Sequence, residues 1–186
     1  MKKLLAAALA MTALSTWADD AALIAETKMT ALGIPPKLLQ MVQDEIDKGS
    51  YHGAIAACSE KAPKMAAAAS QTTGWAIRRV SLKNRNPKAT PDAWERAVLE
   101  DFDRRRAAGE NAAMMEKAEI VSEGGQRTLR YMKALPTQAL CLNCHGGPDK
   151  IATEVKAKLT ELYPADQAVG YSEGQVRGAL TVKRAL

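Results

Sequence analysis

The segment EIVSEGGQRTLRYMKA, residues 119–134, predicts a β-hairpin and with it an antiparallel sheet. Residues 119–122 and 126–134 have the composition of strands, and Glu123-Gly124-Gly125 between them favours a tight reversal of the chain. Two further segments predict strands beside this hairpin, because apolar side chains recur in 75–83 and 176–183 with the two-residue period of a strand.

Helical patterns surround these strands. Apolar residues recur at helical spacing in four segments, 20–32, 38–49, 53–71 and 149–163. Pro63 interrupts the third of these and must start a new turn or kink the helix. Thr90-Pro91-Asp92 has the capping and first-turn residues that open another helix. Helices followed by four strands with interspersed helices predict an α+β domain around an antiparallel sheet.

The N-terminus has the organisation of a secretory signal peptide. Lys2 and Lys3 precede the uncharged stretch 4–14, and Ala18 is a small residue at the expected cleavage position. We therefore expect a signal peptide over 1–18 and a single domain over 19–186 in the periplasm. The alternative is an amphipathic helix of the mature protein, although the stretch has no polar face. No membrane span is expected, since crossing a bilayer takes about 20 apolar residues.

Charge and composition exclude one class of partner and suggest a cofactor. The formal net charge is only +5, and the basic residues are scattered, so no nucleic-acid partner is expected. Aromatic residues make up only 4% of the chain while alanine is abundant, which predicts thin layers of side chains between helices. A large flat cofactor could supply part of the missing core.

Cys141-Leu142-Asn143-Cys144-His145 is a C-x-x-C-H motif, the attachment sequence of c-type haem. Two thiols at this spacing can add to the two haem vinyl groups, and the histidine that follows lies under the iron as an axial ligand. We therefore expect one covalent haem c. A zinc site, a thioredoxin-type redox pair and a plain disulfide are the alternatives. Zinc would need a second ligand pair, and only His52 and Cys58 are left to supply it.

The second axial ligand of such an iron must come from the N-terminal side, because no Met or His follows His145. Cys58 shares a helical stripe with Ile55 and Met65 that we expect to be buried, and iron would shield its thiol in an oxidising compartment. A free buried cysteine is equally common as a small core residue. His52 and the Met residues are the other candidates, so the residues alone leave this ligand open.

Several motifs, in the same order along the chain, resemble the single-haem c-type PAS-like family, a haem-binding domain of unknown function. They cover about 54–182. The quoted motifs are Trp75-x-Ile77-Arg78-Arg79-x-Ser81-Leu82-Lys83-x-Arg85-Asn86-Pro87, Pro91-Asp92-Ala93-Trp94-Glu95, the C-x-x-C-H motif, Tyr163-Pro164-x-Asp166-x-Ala168-x-Gly170-Tyr171 and Gly174-x-x-Arg177-Gly178.

The resemblance implies a PAS-like antiparallel sheet with N-terminal and flanking helices that enclose one haem. It also implies His/Cys ligation of the iron, with His145 and Cys58 as the metal ligands. Arg78 and Arg79 are candidates to bind a haem propionate, since an arginine on this strand could form an ion pair with it. An exposed basic strand edge is the alternative reading of these two residues.

A thiolate ligand lowers the reduction potential of a haem, so the expected function is low-potential electron transfer or redox sensing. Electrons would pass to or from a partner protein that the sequence does not identify. The alternatives are a sensor of NO or CO that works with a partner, a haem enzyme such as a peroxidase, and a haem-free binding module closed by a Cys141–Cys144 disulfide. An enzyme is not expected, because only His52 could serve as a distal acid or base.

Overall fold

The computed structural model describes residues 19–186, and the expected signal peptide at 1–18 lies outside them. Helix α1 occupies 19–32 and is followed by α2 (Pro35–Asp47). A longer helical segment then comprises α3 (Tyr51–Ala56), a π-helical turn (Ala57–Lys61) and α4 (Ala62–Thr73). The three N-terminal helical predictions are confirmed.

The interruption predicted at Pro63 takes the form of this π turn. Proline lacks an N–H and crowds the carbonyl four residues before it, so the regular α-helical ladder cannot continue through it. The wider turn lies directly before α4, in which Pro63 occupies the first turn. Ser50 caps the start of α3 by accepting a hydrogen bond from Gly53 N. Gly74 ends α4 with a φ of 73°, a left-handed conformation that suits glycine.

Four strands form one antiparallel sheet in the order β1-β4-β3-β2. Their bounds are Ala76–Val80 for β1, Glu116–Glu123 for β2, Gln126–Pro136 for β3 and Val176–Ala185 for β4. The predicted hairpin is confirmed as β2 and β3. Strand β1 is shorter than the predicted 75–83, because Ser81 N donates to Ala89 O instead of continuing the ladder with β4.

Helix α5 (Ala93–Ala107) covers one face of the sheet. Its first turn is a capping box in which Asp92 accepts from Glu95 N and Glu95 accepts from Asp92 N. The N-cap is therefore Asp92, the third residue of the predicted opening sequence. The apolar side of α5 packs on this face, in a buried cluster made of Val80, Val98, Leu99, Phe102, Ala112, Met115, Met132, Ala134, Val176 and Ala179.

The opposite face of the sheet is covered by the N-terminal helices. Ile77, Tyr131 and Val182 come from three neighbouring strands and pack with Ala31 of α1. Helices on both faces explain why β4 is buried continuously from 176 to 182 despite its partly polar sequence. The α+β prediction is confirmed.

The C-terminal third holds two helices between β3 and β4. The short α6 (Leu142–His145) contains most of the C-x-x-C-H motif, and α7 (Thr153–Leu162) is shorter than the predicted 149–163. Helix α7 packs against Ile55 of α3 through Val155 and Leu159. Within 19–186, no helix combines the length and the hydrophobicity that crossing a membrane requires.

Candidate cofactor site

The C-x-x-C-H motif lies on a tight helical turn between β3 and α7. A short 3-10 turn ends at Cys141, α6 continues to His145, and Gly146 leaves in an extended conformation. Cys141 and Cys144 are free, half-buried thiols on this turn. A Cβ at position 146 would come within 2.7 Å of Leu142 O, so glycine is required where the chain leaves the helix.

A second segment, residues 166–171, runs against this turn and holds it through its backbone. Gly170 N donates to Gly146 O at 2.8 Å, and Tyr171 N donates to His145 O at 2.9 Å. The imidazole joins the same segment, with His145 Nδ1 2.7 Å from Ala168 O. The motif is thus fixed at its backbone and at its histidine ring.

The contact to Ala168 determines the state of the His145 ring. A carbonyl oxygen can only accept, so Nδ1 must carry the proton and Nε2 keeps a free lone pair. Burial lowers the pKa of His145 well below its usual value, and the charges of Arg177, Arg85 and Arg79 lower it further. This shift favours the neutral form of His145, which is the form that binds a metal.

Cys58 lies on the π turn and faces the same region. It is exposed, so the expected burial is wrong for Cys58 itself, whereas Ile55 on the same stripe is buried. Burial within the surrounding protein nonetheless raises the pKa of its thiol, while Arg79 opposes this effect. The thiol is therefore surrounded by protein groups on several sides while one side stays open. Charges on Cys141, Arg85 and Arg177 also reach it.

Three arginines from different parts of the chain surround these groups. Arg79 on β1 has no hydrogen bond or ion pair with any residue in 19–186, and the charges nearest to it include those of Cys58 and Cys141. Arg177 on β4 donates through Nη1 to Ser81 Oγ and Lys83 O, but its Nε is buried without a partner. Burial lowers the pKa of Arg177 to about 9, and repulsion from Arg79 adds to the effect.

The third arginine, Arg85, is the one with a carboxylate partner. Its Nε lies 2.9 Å from Asp166 Oδ2, and its Nη2 donates to Cys144 O at 2.6 Å. Among the side chains that the structure describes, Asp166 is the acidic group paired with these arginines. The site carries excess positive charge in a partly dry environment, which favours an anionic ligand.

The aromatic ring of Tyr171 lies beside the His145 ring. The two rings meet edge-on, with the centroids 6.4 Å apart. The cations of Lys83 and Arg177 lie over the tyrosine ring, at 5.4 and 5.2 Å from its centroid.

The structure separates the two arginines that the resemblance suggested for a propionate. Neighbouring strand residues point to opposite faces, so Arg78 and Arg79 cannot share one site. Arg78 points towards α5, where it forms an ion pair with Glu95 and donates to Thr90 O. The expectation that Arg78 contributes to the cofactor site is wrong, whereas Arg79 is placed there.

His52 lies apart from these residues. It is exposed and lines a different recess, together with Tyr51 and Glu154, beside the start of α7. Sequence reasoning missed Asp166 and Arg177 as site residues. Both occur in the quoted motifs, but nothing in the local pattern shows that Arg85 and Asp166, 81 residues apart, meet.

These residues fit a covalently attached haem. Two thiols and a neutral imidazole occupy the C-x-x-C-H turn, and the unpaired Arg79 and the orphaned Arg177 Nε could each bind an anionic propionate. Fold and site together define the class as an α+β protein with an antiparallel sheet and a cysteine–histidine cofactor site rich in arginine.

The chain belongs to the Tll0287-like family, whose family model matches residues 6–184. Its structure is similar to the crystal structure of the cyanobacterial heme-protein Tll0287, with a TM-score of 0.63 and 25% sequence identity. The similarity covers 83% of this chain and 91% of that one. No curated protein matches the chain.

Proposed function

We propose that this protein binds one haem c, joined by thioether bonds to Cys141 and Cys144 and ligated by His145. The observation that carries the proposal is the position of the His145 ring, whose Nδ1 lies 2.7 Å from Ala168 O on the turn that also bears the two thiols. Burial lowers the pKa of His145, which favours the neutral, metal-binding form of the ring. The solved relative is named a heme-protein, which supports the same conclusion. The bound haem would supply one-electron redox chemistry.

We assign the second axial position to Cys58. Its thiol lies near the motif, since the charge of Cys141 reaches it, and a thiol loses its proton when it binds a metal. Arg79 favours the thiolate, and it has no other partner within 19–186. Arg79 could also bind a propionate. A thiolate ligand stabilises ferric iron, so the reduction potential is expected to be low.

The physiological role that we propose is low-potential electron transfer or redox sensing in the periplasm, with a protein partner. The sequence of residues 1–18 supports export, and the enclosing fold supports a PAS-like domain, since the first strand pairs with the last. We do not propose an enzyme, because His52, the candidate distal acid or base, faces another recess.

The first experiment tests covalent attachment. The full chain is produced in cells with a c-type maturation system, and its mass and its pigment after extraction with acidified acetone are measured. Retained pigment and one added porphyrin mass are expected for the wild type. Cys141→Ala with Cys144→Ala should lose both. A colourless wild-type protein, or pigment that is extracted, would overturn the proposal.

The second experiment tests the ligand set. Optical and EPR spectra of the oxidised protein are compared for the wild type, Cys58→Ala and the control His52→Ala. Cys58→Ala should abolish the low-spin ferric thiolate signal and raise the potential, while His52→Ala should match the wild type. Identical spectra for all three proteins contradict ligation by Cys58.

One feature favours a further role, the sensing of a small ligand such as CO or NO, because Cys58 lies on a π turn, which is common at functional sites. A thiolate that leaves the iron on reduction would free a position for such a ligand. The reduced protein should then bind CO. An unchanged optical spectrum of the reduced protein under CO would exclude this role.

A further inference from the structure

We propose that Arg85 and Asp166 form a positioning pair that orients the His145 ring through Ala168 and thereby adjusts the haem potential. This inference rests on the proposed haem and on His145 as its ligand. Neither Arg85 nor Asp166 would touch the iron. Each acts on the carbonyl that accepts the histidine proton.

The pair is held in a partly dry environment between two distant segments. Arg85 follows β1, Asp166 precedes β4, and their side chains are only 11% and 13% exposed. A pair this protected from water is screened much less than a surface pair, so its geometry is maintained. Breaking it would leave one charge buried without its partner.

Both members of the pair contact Ala168. Asp166 Oδ1 accepts from Ala168 N at 2.8 Å. Arg85 Nη2 lies 3.4 Å from Ala168 O, the atom that accepts from His145 Nδ1 at 2.7 Å. The peptide groups on both sides of Ala168 are therefore held by the ion pair, and the direction of the histidine acceptor is fixed by them.

Arg85 also holds the other side of the histidine. The same Nη2 donates to Cys144 O at 2.6 Å, the carbonyl directly before His145. The backbone of the motif and the acceptor of the imidazole are thus tied to one guanidinium group. A planar guanidinium can bridge these groups, whereas a point-like ammonium group cannot.

Two electronic consequences follow. A partial hydrogen bond from a cation weakens Ala168 O as an acceptor, so the His145 ring keeps less imidazolate character and donates less charge to iron. The positive charge of Arg85 also favours the reduced, less positive iron. Both effects of Arg85 raise the potential, whereas the negative charge of Asp166 lowers it.

The test measures midpoint potential and low-spin EPR linewidth in the haem-loaded full chain. Arg85→Gln should lower the potential and Asp166→Asn should raise it. The double variant Arg85→Gln/Asp166→Asn should return the potential towards the wild-type value but broaden the EPR signal, because the ring loses its fixed acceptor. A matched control is the exposed ion pair Arg105–Glu110 on and after α5, where Arg105→Gln and Glu110→Gln should leave both readouts unchanged.

A purely structural role predicts a different pattern. If the pair only maintains the fold, the two single variants should shift the potential in the same direction or leave it unchanged, and either result overturns the inference. A double variant with wild-type EPR linewidth also overturns it. Absence of covalent haem in the wild type would overturn this inference together with the proposed function, whereas the outcomes above affect the inference alone.

Discussion

Gly178 provides a stability test of how closely β1 and β4 approach beside the site. Its φ is 146°, and a Cβ there would lie 2.4 Å from Val80 O and 3.1 Å from Ser81 Cβ. Both strands would have to separate, because the nearest obstacle is backbone rather than a flexible side chain. Overpacking of this kind costs about 1–3 kcal/mol, and the unfavourable backbone conformation costs about 1–3 kcal/mol more.

Gly178→Ala should therefore lower the free energy of unfolding by about 3 kcal/mol or more. Urea denaturation followed by circular dichroism measures this change. With a slope of about 1–3 kcal/mol/M, the midpoint should fall by about 1–3 M. Separation of the strands should also weaken the contact between Arg177 and Ser81, which lies directly beside Gly178.

The control is Gly74→Ala at the end of α4. Gly74 has a φ of 73° but no atom within 4 Å of a built Cβ, so only the backbone cost of about 1 kcal/mol applies. Equal urea midpoints for the two variants would refute the argument, because they would show that the contact with Val80 O carries no cost.

Three further predictions concern the core, the pH dependence and the arginines. Phe102→Ala should lower the free energy of unfolding by about 3–5 kcal/mol, because the ring is fully buried. Met114 is exposed, so Met114→Ala should change the free energy of unfolding by less than about 0.5 kcal/mol in the same urea titration. Burial alone would raise the pKa of Asp92, but hydrogen bonds and nearby positive charges outweigh it and lower the pKa below 3.8. The stability from this shift is present above pH 3.8 and is lost as the pH falls through the folded pKa. Asp92→Asn should therefore flatten the acid limb of a plot of unfolding free energy against pH. An unchanged slope would contradict the assignment. Arg79→Gln should lower the haem potential, since it removes a positive charge from the site. Arg78→Gln should leave the potential unchanged and only reduce stability. Equal shifts of the potential in redox titrations would show that both arginines reach the haem.

Much of the secondary structure follows from local patterns. The hairpin turn at Glu123-Gly124-Gly125 lies where the sequence predicts it, because Gly124 and Gly125 adopt positive φ values that suit glycine. Strand β1 is shorter than its pattern, because the ladder ends where Ser81 finds a partner in a loop. That partner is a tertiary contact, which no periodicity records.

The candidate site divides in the same way. Cys141, Cys144 and His145 can be recognised from their spacing, because attachment to two vinyl groups and one iron needs neighbouring residues on a single turn. The π turn that carries Cys58 could not be predicted, because the spacing argument assumes a regular helix of 100° per residue.

The contacts of the arginines could not be predicted from local sequence patterns. That the chain forms an antiparallel sheet and contains a covalent attachment motif is encoded in segments of a few residues, since turn chemistry and ligand spacing are short-range properties. The packing of sheet, helices and loops decides that Arg79 and not Arg78 faces Cys58. It also brings Arg85 to Asp166 and Ala168. Such contacts join residues far apart in the chain, and their energy comes from shared burial, so they exist only once the fold has formed.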